Sequence, residues 1–423
     1  MQIVSPAEAV AVVGSRQQLF VHGGAATPSV LLDALVQRAD QLEDVRVLHF
    51  HTEGPAPHLA PEMAGHFRHK ALFIGANARA AVNEGRAEYI PVFLSDVPGL
   101  FRSGILPLDA VLINVTPPDA HGYCSLGPSV DATLAAVRSS KLVIAQLNDR
   151  MPRTLGDTFV HVSKIDYATE VSADPYEYDE GELNEVARQI GEHVAELVEH
   201  GSTIQLGIGA IPAAVALALR DKQHLGVHTE MFTDAVVDLV ECGAITGARK
   251  EVNRGKIVSA FLMGSRRLYD FVNDNPMVEL RPVDYTNDTA VIRRFNRMVS
   301  INSAIEVDLT GQVVADSIGP RFYSGVGGQM DFVRGASLAE EGRAIIALPS
   351  TAAQGTVSRV TPYLREGAGV VTTRAHARTV VTEHGVAELH GRSIAERARA
   401  LIAIAHPDFR DELTSEARRI HFL

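Results

Sequence analysis

The chain has 423 residues, 46% of them hydrophobic, and carries 51 acidic against 39 basic side chains for a formal net charge of −12. That length exceeds one ordinary core, so two domains are expected, and the negative balance argues against nucleic-acid or membrane-surface roles, where like charge would repel. Only Cys124 and Cys242 are present, the N-terminus has no basic-then-apolar leader pattern, and no apolar run reaches the ~18 residues of a membrane span, all of which fits a reducing, cytoplasmic compartment.

Leu19-Phe20-Val21 reads as a strand, and Thr27-Pro28 as a helix start, with threonine as N-cap and proline at the first helical position. Leu31, Leu32, Leu35, Val36, Ala39 and Leu42 fall at helical spacing behind it. Val45 to Phe50, Ala71 to Gly75, Ile90 to Leu94, Ala110 to Val115 and Leu142 to Leu147 follow as strands. Their near-continuous apolar character suits a sheet covered on both faces, so the class is α/β. The acidic stretch 172–182 reads as a linker, giving domains 1–180 and 181–423. A helix with Val186, Ile190, Val194 and Leu197 on one face is expected next.

The second half repeats the opening of the first. Strand, glycine turn, proline and helix recur as Phe20 to Pro28 and as Ile204 to Pro212. The following strand ends in His51-Thr52-Glu53 in one half and in His228-Thr229-Glu230 in the other, which predicts two domains of similar topology.

Three features carry candidate chemistry. Gly207-Ile208-Gly209-Ala210-Ile211-Pro212 removes Cβ atoms where backbone amides approach a ligand and aims a helix N-terminus at it. A dinucleotide fingerprint would place a third glycine where Pro212 stands. The alternative is a tight β–α turn with no ligand. Glu230 is the second feature. A lone glutamate is ordinarily a solvated charge, but Leu225, Val227, Met231 and Phe232 read as an apolar strand around it. Burial makes a carboxylate more basic and a better nucleophile. Glu53 shares its context but precedes the loop-breaking Gly54-Pro55-Ala56-Pro57 and ranks below it. The third is Tyr323 to Phe332, with glycines at 325, 327 and 328, whose amides could hold an oxyanion; the alternative is a mobile loop or β-bulge.

Other chemistries find less support. The 17 histidines include His49, His51, His66 and His69 close together, but no metal-ligand spacing appears, so no metal is expected. No G-x-S-x-G elbow exists. Cys124 with His121 could form a thiol pair, against the reading of a small buried cysteine.

At His22-Gly23-Gly24 to Pro28, Pro117 through Gly127, Asn148 to Pro152, Gly207 to Pro212, His228 to Phe232 and Gly325 to Phe332, in that order, the chain resembles the acetyl-CoA hydrolase/transferase family of class I CoA-transferases, nearest its 4-hydroxybutyrate CoA-transferase branch. The resemblance covers essentially the whole chain. It implies two open α/β domains of the CoA-transferase (NagB/RpiA-like) type and a homodimer. It implies that Glu230 forms a glutamyl-CoA thioester, and that Gly327 and Gly328 serve the oxyanion and the CoA arm. Gly207, Ile208, Gly209, Ala210, Ile211 and Asn302 would contact CoA, and His22 would lie near the acyl end; a strand-end histidine satisfied by backbone is the alternative there. CoA and acyl-CoA are then substrates, with no tightly bound cofactor. The acceptor could be 4-hydroxybutyrate, butyrate, propionate, itaconate or succinate. Hydrolysis through the same glutamate, or a non-catalytic acyl-CoA-binding role, are the alternatives. One departure concerns Gln354-Gly355-Thr356, where a basic residue is expected. Lys256, Arg266 and Arg267 are candidate substitutes for phosphate contacts.

Overall fold

Apolar runs in the first 178 residues pair into one sheet of eight parallel strands. In spatial order these are Gln2–Ile3, Tyr167–Val171, Leu142–Asn148, Ala110–Val115, Gln18–Val21, Val45–His49, Phe67–Ala71 and Ala87–Tyr89. The computed structural model describes residues 1–179, 181 and 183–423. They fall into two units, Met1–Tyr178 with Val258–Thr286, and Asp179–Ile257 with Asn287–Leu423. The expected linker includes Glu180 and Glu182, which lie outside the described residues.

In the first unit Leu19, Val21, Val47, Leu112 and Ile144 of the sheet close over Leu31 and Leu35 of the helix Ser29–Val36. An eight-residue helix is too short to persist alone in water. Burying each leucine contributes about 1.5–3 kcal/mol, so packing holds it in place. Thr27 does not cap this helix. Its Oγ1 donates to Gly24 O at 2.8 Å and accepts from the Glu53 N–H at 3.0 Å, and Pro28 occupies the cap position. Two strands are displaced from expectation. The strand expected at 71–75 runs Phe67–Ala71, and the one expected at 90–94 runs Ala87–Tyr89. Both lie at the sheet margin, where Arg68 and Glu88 point to solvent and pair at 3.4 Å. A half-exposed strand alternates polar and apolar residues, so the apolar-run criterion picked the apolar segments that follow, largely buried at 71–75 but open at 90–94, where Phe93 is exposed.

In the second unit Gly226–His228, Thr203–Gln205, Met298–Ser303, Arg343–Ala347 and Thr379–Thr382 run parallel in that order, with Gly385–Glu388 antiparallel at the margin. The helix Glu185–Glu196 forms where periodicity predicts it, capped by the Asn184 side chain on the Ala187 N–H. Among the described residues no helix is long and apolar enough to cross a membrane.

The two sheets share a feature that places their sites. In the second unit the chain leaves Thr203–Gln205 for Gly226–His228 on one side and later returns to Met298–Ser303 on the other. Gln18–Val21 stands in the same relation to Val45–His49 and Ala110–Val115. Loops at such a reversal of strand order diverge beyond the carboxyl ends of the strands and leave a crevice.

Candidate active site

In the second unit the strand expected through Phe232 stops at His228, and Thr229 and Glu230 form a bend beyond its carboxyl end. Thr229 Oγ1 causes the break. It lies 3.1 Å from Leu206 O and 2.8 Å from Met231 O, turning the chain away from the sheet. Glu230 is therefore a crevice residue, not a strand residue.

Asn287 Nδ2 donates to Glu230 Oε2 at 2.8 Å and to Asp331 Oδ2 at 3.2 Å. Asn287 is fully buried and Asp331 nearly so. Glu230 as a residue is partly exposed, while its carboxyl is closely surrounded by protein atoms. Burial is the main cause that pushes its pKa up to about 7; the Asn287 hydrogen bond opposes this and the Asp331 charge adds to it. Near neutral pH this carboxyl is then partly ionised and more basic than an ordinary carboxylate.

Gly328 lies against the same group. A Cβ built there would overlap Glu230 Oε2 and Asn287 Nδ2, so only glycine leaves room for the pair. It is the N-cap of the helix Gln329–Leu338, and Gly327 just before it has φ +57°. The glycine-rich stretch is thus a helix entrance packed on a carboxylate.

The Gly207 loop follows Thr203–Gln205 at the reversal of strand order. Gly209, at φ +97°, requires the left-handed conformation and caps the helix Ala210–Ala218. Pro212 sits in the first turn of that helix, where its missing N–H has no intrahelical partner to lose. Asn302 Nδ2 donates to Gln205 Oε1 at 3.1 Å, tying the two strands beside the loop. A cavity of about 730 Å³ opens here, lined in part by Ile208, Gly209, Ala210, Ile211, Ser303 and Arg359. Gln329, next to Gly328, donates from Nε2 to Ser303 O at 3.1 Å. The Glu230 site and the cavity wall are thereby joined through two residues.

Arg359 has no counterpart among the expected site residues. Its Nε donates to Thr351 O at 3.2 Å and its Nη1 reaches Ala304 O at 3.3 Å, and among the described residues no carboxylate lies within ion-pair distance. Burial, first among the causes, pulls its pKa down. Glu383, the acid whose field reaches it, is held by Ser350 N–H and Oγ at 2.8 and 2.6 Å. Arg266, an expected substitute, is committed to Asp174 and Asp270 at 2.9 and 2.8 Å in the first unit. Nothing in the sequence singles out Arg359; what its guanidinium meets is a property of the folded chain.

His22, in the first unit, is completely buried with both ring nitrogens engaged. Nδ1 accepts from the Asn114 N–H at 3.2 Å, so Nε2 carries the proton and donates to Ser129 O at 2.6 Å. Burial lowers its pKa. This is the backbone-satisfied arrangement, and it leaves no nitrogen for proton transfer to a substrate. Cys124 is a buried thiol whose pKa burial pushes up to about 11, as suits a packing residue.

Two family models match the chain: the acetyl-CoA hydrolase/transferase N-terminal domain over residues 1–176 and the C-terminal domain over residues 264–417. The chain belongs to the acetyl-CoA hydrolase/transferase family. It is 49% identical over 418 residues to a 4-hydroxybutyrate coenzyme A transferase of Clostridium kluyveri, covering 99% of this chain and 97% of that one. It is 50% identical over 404 residues to a succinyl-CoA:acetate/propanoyl-CoA:succinate CoA transferase of Fasciola hepatica, covering 94% and 84%. The crystal structure of a 4-hydroxybutyrate CoA-transferase from Porphyromonas gingivalis superposes with a TM-score of 0.87 at 40% identity over 99% of this chain and 98% of that one.

Proposed function

We propose that this CoA-transferase moves CoA from a short acyl-CoA, such as acetyl-CoA, to a small carboxylate of the 4-hydroxybutyrate kind, through a thioester on Glu230. A Glu230 carboxylate oxygen attacks the thioester carbonyl carbon; the C–S bond breaks and CoA leaves as thiolate. The resulting mixed anhydride is attacked by that thiolate at the glutamyl carbon, the C–O bond breaks, and the donor's carboxylate departs. The acceptor carboxylate then runs both steps in reverse. Thioester energy is conserved throughout, so neither metal nor tightly bound cofactor is required.

The observation that carries this reading is a carboxyl of near-neutral proton affinity, packed against Gly328 at the end of a parallel strand. Gly207 to Ile211 and Asn302 are assigned to the CoA arm, Arg359 to one of its phosphate charges, and the amides at Gly327 and Gly328 to the oxyanion. His22 is assigned a structural role. The active form is taken to be a cytoplasmic homodimer, which sedimentation of the purified protein checks.

Intact-mass measurement after incubation with acetyl-CoA tests the mechanism. A CoA-sized adduct is expected, absent from Glu230→Ala and converted to a hydroxamate by hydroxylamine. Tight acyl-CoA binding without an adduct would instead mean a non-catalytic binding protein. Hydrolysis is the second reading, favoured by the partial opening of Glu230 to solvent. Steady CoA release without an added carboxylate would establish it; strict dependence on an acceptor would exclude it, and an acceptor screen would name the carboxylate.

A further inference from the structure

We infer, independently of the reaction proposed above, that residues 55–64 of the first unit form an acid-released strap: the neutral ring of His58 pins them onto the buried rings of His49 and His69, and protonation of that cluster frees the strap while the sheet beneath stays folded.

A connection between parallel strands ordinarily carries a helix that covers the sheet. The connection from Val45–His49 to Phe67–Ala71 carries only the short turns Pro57–Leu59 and Pro61–Met63. Pro55, Pro57 and Pro61 lack the N–H that a helix interior needs, and Gly54 (φ +88°), Ala56 (φ +46°) and Gly65 (φ +88°) hold left-handed backbone. The strap therefore has no apolar helical face to bury. From 55 to 64 only Ala56 and His58 are buried, so the imidazole is its anchor.

Strand register builds the floor on which that ring sits. Val47 lies opposite His69, and side chains alternate along a strand, so His49 and His69 share a face. Their rings are 4.2 Å apart, and His58 Nε2 meets His69 Nδ1 at 2.9 Å. His49 Nε2, His58 Nδ1 and His69 Nε2 are buried with no hydrogen-bond partner among the described residues. Such a site tolerates neutral imidazole and resists the cation. Burial, first among the causes, lowers all three pKa values, that of His58 to about 4.

Charged groups on the surrounding elements are engaged with one another or open to solvent. His51 pairs with Glu53 at 2.6 Å, Arg46 and Arg68 with Asp44 at 3.5 and 2.9 Å, Lys70 with Glu88 at 3.6 Å, and Arg86 with Glu84 at 2.6 Å. His66 Nδ1 is 2.9 Å from Leu42 O, Asp33 and Glu62 are exposed, and Arg79 is half-buried on the helix Arg79–Asn83.

The ends of the strap are tied separately from its middle. Asn77 Nδ2 donates to Thr52 O and Gly54 O at 3.0 Å each, and Gly65 O accepts from the Asp44 N–H at 2.9 Å. Between those ties, among the described residues, the bond from Arg86 Nη1 to Leu59 O at 2.7 Å is the only one besides that of His58 that joins the strap to the rest of the unit. The strap springs from the carboxyl end of Val45–His49, beside the Thr52–Gly24 bridge, so its release in acid opens the mouth of the first unit's crevice.

Opening returns His58 to the ordinary 6.5, so its proton alone raises the open population about 20-fold between pH 7 and pH 5. Limited proteolysis of the full chain with papain at the two pH values tests this, each rate being divided by that for a free peptide copying residues 53–66. Cuts within 55–64 are expected to speed up by about 20-fold or more at pH 5, with the rest of the chain uncut. His58→Phe keeps an aromatic anchor without the proton site, so the acceleration shrinks by about that factor. An acceleration as large in His58→Phe as in wild type overturns the inference. So does a strap that resists cleavage at pH 5, or one cut only together with the rest of the chain. His58→Gln, whose carboxamide reaches the place of Nε2 and does not titrate, carries the comparison if His58→Phe does not fold.

Discussion

The two glycine turns occupy equivalent points in their sheets, yet they are glycine-bearing for different reasons. A Cβ at Gly23 would sit 2.7 Å from His51 O and 3.0 Å from Asp131 Oδ2, so the protein itself fills that space. At Gly207 the nearest atom would be Pro212 Cγ at 3.9 Å, and the backbone does not demand glycine. The first turn is closed on its own chain and the second is left open. The tripeptides that follow diverge in the same way. Glu53 is 2.6 Å from His51 Nε2, and its N–H is held by Thr27. Glu230 meets an amide and a second carboxylate instead. Equal topology and an equal tripeptide thus give one carboxylate set against a histidine ring and one, at Glu230, kept basic. The partner set, not the position in the fold, makes a carboxylate reactive.

The largest effect that could break this comparison is on turnover. Glu230→Gln is expected to lose activity by on the order of 10³-fold or more, as loss of a nucleophile does, whereas Glu53→Gln stays within a few-fold of wild type. Steady-state CoA transfer measured on both variants decides it. Equal losses would mean the two tripeptides act together, and a selective loss in Glu53→Gln would reverse the assignment.

A smaller effect separates the turns. Gly23→Ala forces a methyl group into filled space, so a stability loss of about 1–3 kcal/mol is expected by denaturant titration. Gly207→Ala should leave stability within about 0.5 kcal/mol and raise KM for acyl-CoA several-fold with little change in kcat, the pattern of lost ground-state binding. A destabilised Gly207→Ala with normal KM would show that this turn, too, is only structural.

Much of this was legible in the sequence, because the signals were local. Apolar runs located the central strands, the spacing of Val186, Ile190, Val194 and Leu197 located a helix, and the recurrence of turn, proline and His-Thr-Glu exposed the similarity of the halves. Glu230 stood out through its apolar neighbours, although the reason given was incomplete: Thr229 breaks the strand there, and a hydroxyl choosing between two carbonyls has no sequence signature. Asn287, Asp331 and Arg359 escaped for one shared reason. Their importance lies in what faces them across 57, 44 and 55 residues of chain, and spacing along the sequence carries no such information. The marginal strands were misplaced because Phe67–Ala71 and Ala87–Tyr89 carry charges on an open face.

A third contrast is the opposite sign of two pH slopes, both lying between about pH 4 and 7. In the first unit His49, His58 and His69 are buried together. His58 Nε2 lies 2.9 Å from His69 Nδ1, the His49 and His69 rings are 4.2 Å apart, Thr52 Oγ1 holds His49 Nδ1, and His51 adds its field to His49. Burial, first among the causes, lowers all three pKa values, that of His58 to about 4. The unfolded chain then binds protons that the folded unit refuses, so stability is complete above about 6.5 and falls as the pH drops through 6.5 toward 4. Glu230 has the opposite sign. Its folded pKa of about 7 exceeds the ordinary 4.5, so its contribution is present below 4.5 and is lost as the pH rises through 7. Glu230→Gln removes only the second slope. Calorimetric melting at a series of pH values should show the variant matching wild type near pH 4 and gaining on it steadily up to about pH 7, with a constant advantage above, while both lose stability together in acid. A variant that tracks wild type across the whole range would mean that Glu230 titrates as an ordinary solvated carboxylate.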